Sequence, residues 1–131
     1  MKTDFICPKC SNLLNVGDNV VFSTRNKAKM EGLILLHPEM GNYALVKHPS
    51  FEIREGEILE FRCPYCGEIL QSERHENLAR IAIRDEHGNM GEVHFSRIAG
   101  QHCTYMIIGE NMEIFGKDAS DYYDFLANTY F

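Results

Sequence analysis

Two short motifs limit this chain more than any other feature: Cys7-Pro8-Lys9-Cys10, and Cys63-Pro64-Tyr65-Cys66 followed by Gly67. A pair of thiols two residues apart serves either to exchange electrons or to hold a metal ion. A dithiol oxidoreductase needs one such pair, set after a strand at a helix N-terminus, where the helix lowers the thiol pKa. Here the motif occurs twice. It is followed by Ser11-Asn12-Leu13-Leu14 in one case and by Gly67-Glu68-Ile69-Leu70 in the other. Neither run has the 3.6-residue period of a helix, and each reads as a tight turn leading into a short strand.

A metal knuckle accounts for the same residues. Two thiolates curl around one ion while backbone N–H groups of the turn point at sulfur. The proline after the first cysteine presets φ, and a residue that tolerates positive φ is wanted just past the second. Gly67 supplies it. Ser11 does not, so the first knuckle departs from the stronger pattern. Four thiolates from two knuckles complete a closed tetrahedral shell of the kind typical of structural zinc. Cys7, Cys10, Cys63 and Cys66 are therefore the expected ligands of one Zn2+ per chain, with iron as the less favoured occupant of the cage. Use of the Cys63/Cys66 pair as a redox dithiol is a further alternative.

The spacing is long. Ordinary four-cysteine sites leave about 15–20 residues between pairs, whereas residues 11–62 intervene here. Lengthening a flexible loop about threefold costs only about 1 kcal/mol of closure entropy. A structural zinc ion contributes roughly 10–16 kcal/mol at neutral pH, so the insertion is tolerable if it folds back on itself. Two Cys-Pro-x-Cys pairs around a long strand-rich insertion, in a small chain of bacterial appearance, resemble the CpXC group of zinc-ribbon-like proteins. The resemblance covers roughly residues 5–70 and is carried by the two motifs as they stand. It implies a metal site and no assigned biochemical activity, and residues 72–131 fall outside it.

The remainder reads as antiparallel strands. Residues 19–23 form one candidate. Residues 32–36 and 43–47 make a hairpin around Pro38-Glu39-Met40-Gly41-Asn42, and residues 57–61 run straight into the second knuckle after Gly56. The polar stretch 72–77 is the best boundary. Beyond it Ile81 and Ile83 alternate with Arg80 and Arg84, and Val93 and Phe95 alternate with Glu92 and His94, across a turn at 85–89. A second hairpin joins 103–108 to 112–115. Asp118 is placed to cap a C-terminal helix, with Asp121 in its first turn and Tyr122, Phe125, Leu126 and Tyr130 on one face. The expected fold is thus mostly β. A zinc ribbon over 1–71 carries the inserted β-hairpin unit (11–62), and a second antiparallel unit over 72–131 is covered by that helix.

Other chemistry is sparse. Cys103 beside His102, with His94 across the preceding loop, could form a nucleophile or a second metal site, but reads better as a small buried strand residue with surface histidines. His37-Pro38 and His48-Pro49 read as turn residues. Tyr43, Phe51 and Tyr65 could stack bases, but more simply they pack the core and hairpin. No catalytic residue is assigned, and the chain is expected not to be an enzyme.

Charge narrows the partners. The net charge is −6; residues 1–71 hold eight Lys and Arg against nine Asp and Glu, and residues 72–131 hold five against ten. A general nucleic-acid binder shows the opposite sign. The one basic cluster, Arg25, Lys27 and Lys29, supports nucleic-acid binding only as an alternative to docking on another protein, for which Tyr122, Tyr123 and Tyr130 offer a tyrosine-rich surface. No apolar run reaches the ~18 residues that span a bilayer, and no signal segment precedes Cys7. A cytoplasmic location, where thiols stay reduced, is expected.

Overall fold

The computed structural model describes residues 3–119. Ten strands form two five-stranded antiparallel sheets. The first sheet runs in the order β1 (Asp4–Ile6), β7 (Leu78–Arg84), β8 (Met90–Ser96), β9 (Thr104–Ile108), β10 (Asn111–Phe115). In the second, β3 (Asn19–Arg25) is central. β4 (Glu31–Leu36) and then β5 (Leu45–Lys47) lie on one side of it, while β2 (Asn15–Val16) and β6 (Glu60–Arg62) share its other edge. The expected hairpins around 37–44, 85–89 and 109–110 all form. The expected C-terminal helix lies outside the described residues. At the last described turn, the Asp118 carboxylate accepts a hydrogen bond from the His102 backbone N–H at 2.9 Å.

Period-two alternation decides which side chains face inward. In β3 the buried residues are Val20, Phe22 and Thr24. In β7 and β8, Ile81, Ile83 and Val93 point into the same apolar cluster. That cluster draws on both sides of the 72–77 stretch, joining Phe5, Leu14, Phe22, Ile34 and Phe61 to Ile81, Ile83 and Val93. Its centre is a trio of rings. Phe22 and Phe61 meet edge-on at 5.5 Å, Phe61 and Phe95 at 5.1 Å, and Phe22 and Phe95 lie at 5.5 Å. Such pairings contribute about 0.5–1.5 kcal/mol each beyond burial.

The sheets are stitched at two flanks. On one, residues 56–59 pair with 97–99 through Leu59 N–H to Arg97 O (2.8 Å), Ala99 N–H to Glu57 O (2.8 Å) and an Ile58–Ile98 bridge. On the other stand the two cysteine turns.

Candidate metal centre

The two knuckles are built alike, bond for bond. In the first, Ile6 bridges Leu13, and Leu14 N–H donates to Phe5 O at 2.7 Å; in the second, Arg62 bridges Ile69, and Leu70 N–H donates to Phe61 O at 2.8 Å. Cys7 N–H reaches Asn12 O at 3.0 Å, as Cys63 N–H reaches Glu68 O at 3.1 Å. The turn closes from Ser11 N–H to Cys7 O (2.9 Å) and from Gly67 N–H to Cys63 O (3.0 Å). Gly67 takes φ 77°, and Ser11 takes φ 65°. The departure noted in the sequence therefore changes the residue and leaves the turn intact, at the cost of holding an L-residue in the left-handed region.

The arms of these turns interleave. The incoming arm of the first knuckle is β1, which pairs with β7 as Phe5 with Ile83 and Ile6 with Ala82. The outgoing arm of the second also lies along β7, through the Gln71–Ala79 bridge and Arg80 N–H to Leu70 O at 3.1 Å. The other two arms share the edge of β3. Asn15 pairs with Val20, Val21 N–H donates to Leu14 O, and Ser23 pairs with Arg62. Each knuckle thus has one arm in each sheet, and the 52 residues between the cysteine pairs return to their start because β3 carries both arms on one edge. Asn15 secures the corner, accepting from Phe5 N–H at 2.7 Å and donating to Thr3 O at 3.2 Å. Nothing in the sequence marks Asn15 apart from its place beside a turn.

Four thiols meet at this corner. Cys7 Sγ lies 3.8 Å from Cys66 Sγ, Cys10 Sγ lies 3.7 Å from Cys63 Sγ, and all four sulfurs lie within 4.8 Å of one another. A tetrahedron with zinc–sulfur bonds of about 2.3 Å has sulfur–sulfur edges of roughly 3.8 Å. A disulfide would bring two sulfurs to about 2.05 Å, and all five cysteines are free. Backbone donors already face the sulfurs: Lys9 N–H (3.3 Å) and Cys10 N–H (3.4 Å) on Cys7, and Tyr65 N–H (3.4 Å) on Cys63. The Asn12 amide adds a donor at 3.3 Å to Cys10 Sγ. The donor set and spacing fit one tetrahedral ion.

Electrostatics point the same way. In the metal-free chain burial pushes the Cys7 thiol up to about 12, against the pull of the Cys10 and Lys9 N–H groups. Burial raises Cys63 as well. Cys10 falls to about 6, chiefly because the Asn12 backbone N–H bonds its sulfur. Thiols that burial keeps neutral make poor partners for one another; a divalent cation replaces their protons and offsets two of the four thiolate charges, and the backbone N–H groups facing the sulfurs ease the remainder.

The remaining candidates separate from this corner. His94 is not a surface residue: it is fully buried, with Nδ1 3.0 Å from Ser72 Oγ and Nε2 3.0 Å from Glu92 Oε1. Ser72 Oγ in turn accepts Arg74 N–H at 3.0 Å. This network pins the 72–77 stretch to β8 and buries its serine. Cys103 is a buried residue just before β9, packed with Leu78, Tyr105 and Ala119, as the simpler reading expects. His102 stacks on Tyr43 at 4.3 Å. His37 directly follows β4 and His48 directly follows β5, each accepting a backbone N–H two residues on at 3.0 Å. Phe51 is buried and Tyr43 is bonded to Thr104 at 2.9 Å, leaving Tyr65 as the exposed member of that aromatic set. Arg25 ends β3 in an ion pair with Glu31 at 2.9 Å.

The chain matches no family model, no curated protein and no solved structure. Among the described residues, no helix is long and apolar enough to cross a membrane.

Proposed function

We propose that the chain is a non-catalytic binding module, held together by one structural zinc ion, whose partner is another protein. The observation that carries this reading is the cluster of Cys7, Cys10, Cys63 and Cys66 at tetrahedral spacing. Four thiolates saturate the ion and leave no position for water or substrate, which separates structural from catalytic zinc. Iron suits the same cage, and metal analysis distinguishes the two. The reading agrees with the resemblance to CpXC zinc-ribbon-like proteins and with a cytoplasmic setting that keeps thiols reduced.

A protein partner is supported by the outer face of the second sheet. Leu33 is 53% and Val46 61% exposed, with Leu35, paired to both Val21 and Val46, on the same face. Arg25, Glu31, Glu60 and Arg62 border that stripe. An apolar centre with a polar rim is the anatomy of a protein interface. Nucleic-acid binding through Arg25, Lys27 and Lys29 has less support, because Arg25 is occupied by Glu31 and lies 3.9 Å from Glu60. A redox role for Cys63 and Cys66 lacks the helix that would stabilise a thiolate.

The test pairs metal analysis with affinity capture from the source cell. The wild-type chain should return a stoichiometric partner, and a Leu33→Asp/Val46→Asp variant with intact metal should lose it. Absence of any partner rejects the adaptor half. Retention of nucleic acid with a steep salt dependence, abolished by Arg25→Ala/Lys27→Ala/Lys29→Ala, establishes the nucleic-acid alternative instead.

A further inference from the structure

Between the two sheets lies a cavity of about 260 Å³. Phe22 and Ile34 line it from the second sheet, and Ile81, Val93 and Phe95 from the first; it opens between the 38–43 loop and the 98–102 loop. Four of these five side chains belong to the central apolar cluster and Phe95 packs against it, so the space is part of the core itself. A close-packed interior holds few voids larger than a water molecule. Side chains around an empty one have no partner atoms on that side. This space is also held open by construction. The 56–59 and 97–99 segments stitch the sheets along one flank, the cysteine corner joins them along another, and the phenylalanine trio props them apart within.

The chemistry of the wall selects what fits. Its cation, Arg97, is turned to backbone oxygens: Nε donates to Leu59 O at 2.8 Å and Nη1 to Glu76 O at 2.6 Å. The Tyr43 hydroxyl is spent on Thr104 at 2.9 Å, and the Tyr43 ring is covered by His102. Arg97 is thus held by backbone carbonyls and Tyr43 by Thr104, and the side chains that line the interior from the two sheets are aliphatic and aromatic. An engineered apolar cavity of about 150 Å³ stays dry and takes up benzene, and drug-sized pockets begin at roughly 300 Å³. We infer that this cavity is a binding site for a small uncharged apolar molecule, about the size of one fused ring pair or a six-to-eight-carbon chain. The site is separate from the cysteine cluster and does not depend on the metal being zinc.

The experiment is titration of the full metal-loaded chain with indole and with 1-hexanol, read by calorimetry and by amide chemical shifts. Saturable binding is expected, with shifts at Phe22, Val93 and Phe95. Hexanoate should bind at least tenfold more weakly than 1-hexanol, because the interior is apolar and the Arg97 guanidinium is held by the Leu59 and Glu76 carbonyls. Val93→Phe, which fills the interior, should weaken indole at least tenfold. Should that variant fail to fold, Met40→Trp, at the partly buried rim of the core, provides the same comparison. Failure of indole, 1-hexanol and xenon gas to bind overturns the inference. Equal binding of hexanoate overturns the uncharged class. Binding that appears only after residues 120–131 are removed assigns the space to that segment instead, and also overturns it.

Discussion

Ser11 and Gly67 occupy the same place in two copies of one turn, with φ of 65° and 77° and with N–H bonds of 2.9 and 3.0 Å to the carbonyls of Cys7 and Cys63. Only one of them has the residue that this backbone prefers. The left-handed region costs an L-residue about 1–2 kcal/mol, partly offset by the greater unfolded-state freedom of glycine. Ser11→Gly should therefore stabilise the metal-loaded protein by about 0.5–1 kcal/mol. Gly67→Ala should cost about 0.5–1 kcal/mol, all of it conformational, since a Cβ there meets nothing within 4 Å. Urea midpoints of the two variants, compared with wild type, check the opposed signs.

The cysteine corner joins an arm of each knuckle to each sheet, so loss of the ion should loosen the protein beyond the turns. Cys7→Ser or Cys63→Ser should abolish stoichiometric metal, and chelation should lower stability by several kcal/mol, of the order seen when structural zinc is removed. Acid should release the metal with uptake of protons, because thiolates bind and thiols do not. Cys103→Ala should keep the full metal content and cost only about 1 kcal/mol of buried surface. Metal content and thermal midpoints across pH distinguish these outcomes.

The strands of the second half were legible from alternation and most of those in the first half from short apolar runs, and so were the hairpins around 38–42, 85–89 and 109–111; β1 was not. The four thiols were legible as one donor set from the doubled motif. Pairing over long sequence separations was not. Phe5 and Ile6 are consecutive and so face opposite sides of β1, and nothing local names Ile83 and Ala82 as their partners. His94 stands on the polar side of β8, where alternation predicts solvent. It is buried because the 72–77 stretch, itself polar in sequence, folds over that face and contributes Ser72. The insertion closes on itself through one edge of β3 that accepts two different strands, a relationship no local signal encodes.

Gly32 lies under the Phe51 ring, where a Cβ would stand 2.6 Å from the ring carbon Cγ. Gly32→Ala should cost about 1–3 kcal/mol through overpacking. Phe51→Leu in the same chain should recover part of that, giving a coupling of about 0.5–3 kcal/mol in a double-mutant cycle. At Gly91 the obstacle is the Ile107 carbonyl, which cannot turn away, so Gly91→Ala should be the more damaging of the two. Denaturation midpoints of wild type, the two single variants and the double variant of the cycle, together with Gly91→Ala, decide the comparison.

The turn at 85–89 is organised by Asp85, whose carboxylate accepts the N–H groups of Asn89 (2.8 Å) and His87 (2.9 Å). These bonds, the Asn89 N–H first, hold its carboxyl below the usual range. A depressed carboxyl contributes stability above its unfolded pKa and loses it as pH falls through the folded one. Asp85→Asn should therefore be less stable than wild type at pH 7, with the difference closing below about pH 4. A gap that persists in acid contradicts this assignment.

The central claim is that one ion is held by four sulfurs, two from each end of the 11–62 excursion. X-ray absorption at the metal edge, on protein purified without added metal and with its free thiols counted, tests it most directly. The account predicts about one zinc per chain, four sulfur neighbours at about 2.3 Å, and Cys103 as the one thiol outside the shell. A nitrogen or oxygen neighbour, a metal-free chain, or a disulfide within either pair would contradict it.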